Sequence, residues 1–101
     1  VDKKPVVQDP VTKPKERHAP LYKVLIHNDP FTPMDFVVSV LLKVFNLQYE
    51  KAVQIMMEAH KTEIALVTVE TLERAEFHVE QCKSLSGARG FPLSLTYEPE
   101  D

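Results

Sequence analysis

Only Asn46 and Leu47 separate two strongly helical patterns, and this short break constrains the fold more than any other feature of the chain. Before it, Met34 to Phe45 carries Val37, Val40, Leu41, Val44 and Phe45 at three- and four-residue steps, the spacing of a helix with one apolar face. After it, a second helix is expected from about Gln48 to His60, with Tyr49, Ala52, Val53, Met56 and His60 on one stripe. Helices joined this closely must fold back on each other as a hairpin. Upstream, Thr32 stands as an N-cap, Pro33 at the first helical position and Asp35 in the first turn, a near-complete helix-start signal.

The apolar faces of the hairpin need a partner layer, and three segments read as strands. Leu21 to His27 alternates, with Tyr22, Val24 and Ile26 on one face. Ile64 to Val69 is rich in β-branched residues. Phe91 to Tyr97 places Phe91, Leu93, Leu95 and Tyr97 on one face and Pro92, Ser94 and Thr96 on the other, with Pro92 marking an edge or a strand start. A third helix follows Thr71 as its cap, with Ala75, Val79, Cys82 and Leu85 as its buried stripe and Gly87 or Gly90 at its end. The order is β-α-α-β-α-β. The expected fold is α+β: a single small two-layer domain, a three-stranded antiparallel sheet with the helices packed on one face.

The chain has 101 residues, enough for one compact domain. Residues 1–20 hold Pro5, Pro10, Pro14 and Pro20 among many charges and no sustained apolar period. They read as a flexible N-terminal arm, with an expression leftover as the alternative, and residues 21–101 as the core domain. A net charge of -3 argues against a nucleic-acid partner. No apolar run approaches the ~20 residues of a membrane span, and Val1 to Pro10 lacks the apolar centre of a secretion signal. The single cysteine, Cys82, excludes an internal disulfide framework and fits a reducing compartment, so a cytoplasmic location is expected.

Catalytic signatures are sparse. The two glycines, Gly87 and Gly90, cannot build a phosphate loop, and His27, His60 and His78 lack metal-ligand spacing. Cys82 lies on an apolar stripe and reads as a structural thiol, while Ser39 and Ser94 have no evident base. The expectation is a non-enzyme without cofactor or metal. What remains unassigned is Asn28-Asp29, which the following helix does not need, so these side chains are free to bind something. His60 closes the second helix one turn after Met56. It is either a histidine whose charge suits a helix C-terminus or a binding group. Met34, Met56 and Met57 are either core filler or the adaptable lining of a pocket.

These residues resemble a known family. The block YKVLIHNDPFTPMDFVVSVLLKVF, Tyr22 to Phe45, is similar to the signature of the Clp protease adaptor ClpS family. The spacing from Asn28 through Met34, Val37 and Met56 to His60 fits without gaps, and the likeness continues more weakly to Pro92-Leu93. The resemblance implies a non-catalytic adaptor. It would recognise bulky hydrophobic N-terminal residues (N-degrons) and deliver their bearers to a Clp AAA+ unfoldase of ClpA or ClpC type. It implies that Asn28 and His60 accept hydrogen bonds from the substrate's α-ammonium, with the charge of Asp29 nearby. Ile26, Met34, Val37, Met56, Ala59 and Leu93 would line the pocket for Phe, Leu, Tyr or Trp, with Met34 as its gate. Glu73 and His78 would face the unfoldase, and the N-terminal arm would engage it during hand-off.

The chain departs from the family pattern in places that suit a divergent paralogue. Pro30 replaces a second acid, Ala59 a valine, Glu63 a glycine, Val67-Thr68 a Cys-Gly pair and His78 a lysine. A reading of another class stays open: a protein-interaction module of the same fold, using a helix face as a ribosomal-stalk domain does and needing neither Asn28 nor His60. An RNA-binding α/β domain would want a basic face, and a net charge of -3 does not supply one.

Overall fold

The computed structural model describes residues 19–101. The arm expected over residues 1–20 lies outside them except for Ala19 and Pro20, which are exposed and irregular. The elements run β1 (Leu21–His27), α1 (Met34–Phe45), α2 (Tyr49–Thr62), β2 (Ile64–Thr71), α3 (Leu72–Ala88) and β3 (Ser94–Pro99). This is the expected order. The strands form an antiparallel sheet in the order β2-β1-β3, so β1 is central. The core lies between the sheet and the helices: Val24 and Ile26 of β1 meet Val40 and Leu41 of α1, Ala52 and Ile55 of α2, and Ala75 and Cys82 of α3.

Asn46 ends α1 as anticipated. It adopts a left-handed conformation (φ 56°) and returns its N–H to the Leu42 carbonyl at 3.1 Å, which turns the chain into α2 within three residues. Of the two glycines proposed to end α3, Gly90 does so. Its φ is 76°, its N–H reaches the Gly87 carbonyl, and the Phe91 N–H reaches the Ser86 carbonyl at 2.9 Å, a Schellman closure.

Four expectations need correction. The start signal of α1 is used differently: Pro33, in extended conformation, is the N-cap residue, and no side chain caps the helix. The buried residues of α2 are Ala52, Ile55 and Ala59, whereas Tyr49 is 62% exposed and His60 lies at the surface. On α3 the buried stripe continues to Ser86 and not to Leu85, which is exposed. Ser86 tolerates the core because its hydroxyl donates to the Cys82 carbonyl at 2.8 Å. Finally, β3 begins at Ser94 and not at Phe91, because Ser94 pairs with His27, where β1 ends, and earlier residues have no strand to pair with.

A bulge in β2 shapes one end of the sheet. Val24 pairs with Thr68 and Leu25 with Leu66, so Val67 has no partner on β1. Ala65 and Val67 face the core, and strict alternation would turn Val69 inward and Glu70 outward. The extra residue reverses this. Glu70 pairs with Tyr22, and the Glu70 carboxylate lies on the helix-covered face.

Cys82 is buried, and burial pushes its thiol up to about 12, as befits an inert structural group. Among the described residues no helix is long and apolar enough to cross a membrane.

Candidate functional site

Three elements converge where β1 gives way to α1. The β1–α1 loop is held by its own turn: Thr32 donates its N–H to the Asp29 carbonyl at 3.3 Å and its hydroxyl to an Asp29 carboxylate oxygen. Thr32 is therefore buried at the centre of the loop, with its hydroxyl committed to Asp29 and not to the helix. The same loop is tied to the far end of α2, because the Asn28 N–H donates to the Glu63 carbonyl at 2.8 Å. Glu63 is the C-cap of α2, with φ 79°. A left-handed backbone is one that glycine adopts without strain and glutamate does not.

These ties enclose a cavity of about 390 Å³. Ile26 enters from β1, Met34 and Val37 from the first turn of α1, Met56, Ala59 and His60 from the last turns of α2, and Leu93 from the segment before β3. Asn28 and Asp29 complete the wall from the loop. All nine residues singled out for ligand binding thus line one cavity. Met56, Ala59 and His60 share it because residues three and four apart on a helix lie on one face. Glu73 and His78 lie elsewhere. Glu73 is exposed in the first turn of α3. The His78 Nδ1 lies 2.7 Å from a Glu70 carboxylate oxygen, its ring is edge-on to Phe45, and its side chain is only 13% exposed.

The cavity has two chemical halves. Ile26, Val37, Ala59 and Leu93 are buried and give it an apolar interior. Met34 is 44% exposed and Met56 half-buried. The polar half holds Asn28, Asp29 and His60. The side chains of Asn28 and His60 make no hydrogen bond or ion pair to another described residue. Asp29 is the acid of the lining, and no lysine or arginine joins it. An amide oxygen, an imidazole nitrogen and a carboxylate beside an apolar hollow suit a ligand with several N–H donors on one end and a large apolar group next to them. No cluster of three or more metal-binding side chains occurs among the described residues.

Sequence reasoning missed four lining residues: His27, Pro30, Thr32 and Pro33. Thr32 was visible, standing three residues after Asp29, a spacing that also serves a loop turn. The helix-start pattern assigns it to capping instead. His27 turns its ring nitrogen to the Thr96 hydroxyl at 2.7 Å, across the β1–β3 pair.

The chain is similar in sequence and fold to known proteins of one family. The family model described as ATP-dependent Clp protease adaptor protein ClpS matches residues 17–96. The ATP-dependent Clp protease adapter protein ClpS 2 of Rhizobium meliloti is 45% identical over 91 residues, covering 90% of each chain. The ClpS adapter of Synechococcus elongatus is 46% identical over 96 residues, 94% of this chain and 95% of that protein. Among solved structures, Agrobacterium tumefaciens ClpS2 bound to L-phenylalaninamide superposes with a TM-score of 0.79 at 38% identity, over 82% of this chain and all of that one.

Proposed function

Because the chain belongs to the ClpS family of ATP-dependent Clp protease adaptor proteins, we propose that its cavity binds the N-terminal residue of proteins bearing N-degrons. The bound protein is then delivered to a Clp AAA+ unfoldase of ClpA or ClpC type, in the cytoplasm and without catalysis by the adaptor itself. One observation carries the reading. Asn28 and His60 have side chains unengaged by other described residues, and both stand beside an apolar hollow with the Asp29 carboxylate in the same wall.

A peptide N-terminus is the ligand that satisfies all of this at once. Its ammonium brings three donors and a positive charge. The Asn28 amide oxygen and a neutral His60 nitrogen accept two of them, and the Asp29 carboxylate attracts the charge directly or through water. The adjacent side chain enters among Ile26, Val37, Ala59 and Leu93, where a Phe, Leu, Tyr or Trp loses the most apolar surface to water. Met34 and Met56 close over it. The polar half tests that the group is a free N-terminus, and the apolar half tests which residue bears it. The relative bound to L-phenylalaninamide, which has a free amine next to an aromatic side chain, supports this reading. Glu73, exposed on α3, is proposed to face the unfoldase together with the surface near His78.

Fluorescence anisotropy with a Phe-led peptide and its N-acetylated twin tests the proposal. Acetylation removes the charge and two of the donors, and a charged hydrogen bond is worth about 1.5–3 kcal/mol, so the affinity should fall by at least ~10-fold. Equal binding of the two peptides would refute it.

A further inference from the structure

Beside the cavity, the hairpin opens into a second apolar hollow of about 410 Å³. Met34, Val38 and Leu42 line it from successive turns of α1, and Tyr49, Val53 and Met56 from α2. Asp35 and Ser39 add polar groups on the α1 side. Among the described residues nothing fills it: Tyr49 remains 62% exposed and Met34 44%. Met34 and Met56 are common to both hollows, so the groove and the cavity share a wall.

Resting on the N-terminus reading above, we propose that this groove is a subsite for the side chain of the substrate's third residue, selecting an apolar one. The argument is the geometry of an extended peptide. Its residues advance ~3.3 Å each and its side chains alternate, so the first and third point to the same side about 7 Å apart while the second points away. With the first side chain seated behind Met34 and Met56, the third meets the next concavity on that surface, which these two methionines also border. The second faces water. The occupant's chemistry follows from the lining. Six apolar side chains favour Leu, Ile, Met or an aromatic, and the Asp35 carboxylate disfavours an acid. Thioethers on both walls let the groove adjust to different shapes.

Three peptides with a free N-terminal Phe and otherwise identical sequences test this on the full chain by fluorescence anisotropy: Phe-Ala-Leu, Phe-Leu-Ala and Phe-Ala-Asp at the first three positions. Phe-Ala-Leu should bind about five-fold more tightly than Phe-Leu-Ala, since a partly buried leucine gains part of its full transfer free energy. Phe-Ala-Asp should bind most weakly. Tyr49→Ser should bring the first two affinities together, and its melting curve verifies that it folds. Leu42→Ser serves as the second variant from the opposite wall. If all three peptides bind alike, or leucine helps at the second position, the subsite is refuted while the cavity reading stands. If no Phe-led peptide binds, or its acetylated twin binds equally, the cavity reading fails and the subsite falls with it.

Discussion

The two histidines that flank β2 occupy opposite circumstances. His60, just before the strand, lies at the surface beside a concave apolar wall and engages no other described side chain. His78, on the helix after the strand, is packed between Phe45 and Phe77 and held 2.7 Å from Glu70. The same residue type is thus left open at one end of the domain and satisfied at the other. A polar group that has found its partner inside the fold contributes to stability. One held beside a hollow without a partner has its hydrogen-bonding capacity in reserve for a ligand.

The contrast is broken most sharply by removing an acceptor at the open end. Asn28→Ala should lower affinity for a Phe-led peptide by roughly 10–100-fold, the worth of one charge-assisted hydrogen bond. Its melting temperature should hardly move, because the Asn28 backbone N–H still reaches Glu63. An unchanged affinity would favour the interaction-module alternative, which has no use for this residue. The closed end should respond in the reverse sense. His78→Ala leaves the Glu70 carboxylate, 10% exposed, without its close partner. Arg74 approaches the other carboxylate oxygen only at 3.9 Å and from an exposed position. A loss of about 1–2 kcal/mol is expected, seen as a lower denaturation midpoint, with peptide affinity unaltered.

This division explains which parts of the molecule were legible beforehand. The open end is built from local patterns: a loop block, one helical face in Met56, Ala59 and His60, and a strand whose alternation is regular. The elements themselves are readable from spacing, and it is the family resemblance that assigns Ile26, Val37, Ala59 and Leu93 to one pocket. The closed end depends on the bulge at Val67, which shifts Glu70 to the helix side, and no pattern in Ile64 to Thr71 announces a one-residue slip. The stripe expected on α2 shares only Ala52 with its buried face. Tyr49, Val53 and Met56 are the larger groups, yet Ala52 and Ala59 are the buried ones together with Ile55. Small side chains let the helix approach the sheet and α1, and the larger ones are left to form the walls of the groove and cavity.

A smaller effect refines the comparison within the open end itself. Thr32 spends its hydroxyl inside the loop, donating it to the Asp29 carboxylate. Thr32→Val keeps the buried volume and removes the hydroxyl, which frees the carboxylate to turn away. If Asp29 must be held in place to meet the ammonium, affinity falls about five-fold, the worth of one ordinary hydrogen bond. If affinity holds while stability drops, the hydroxyl belongs with His78 among the groups that only maintain the fold.

The smallest expected change is at Glu63, where the open end carries its own strain. Glu63 ends the helix that bears His60, accepts the N–H of Asn28, and does both with a left-handed backbone that costs a non-glycine residue ~1–2 kcal/mol. Glu63→Gly relieves that strain but loosens the unfolded chain, which returns ~0.4–1 kcal/mol. The net expectation is a stabilisation of about 0.5–1 kcal/mol, read as a rise in the denaturation midpoint. Peptide affinity should stay constant, because the two hydrogen bonds that position Asn28 and close α2 come from the backbone. A gain in stability accompanied by weaker binding would mean that the Glu63 carboxylate itself attracts the substrate, adding a second acid to the end of the molecule where Pro30 supplies none.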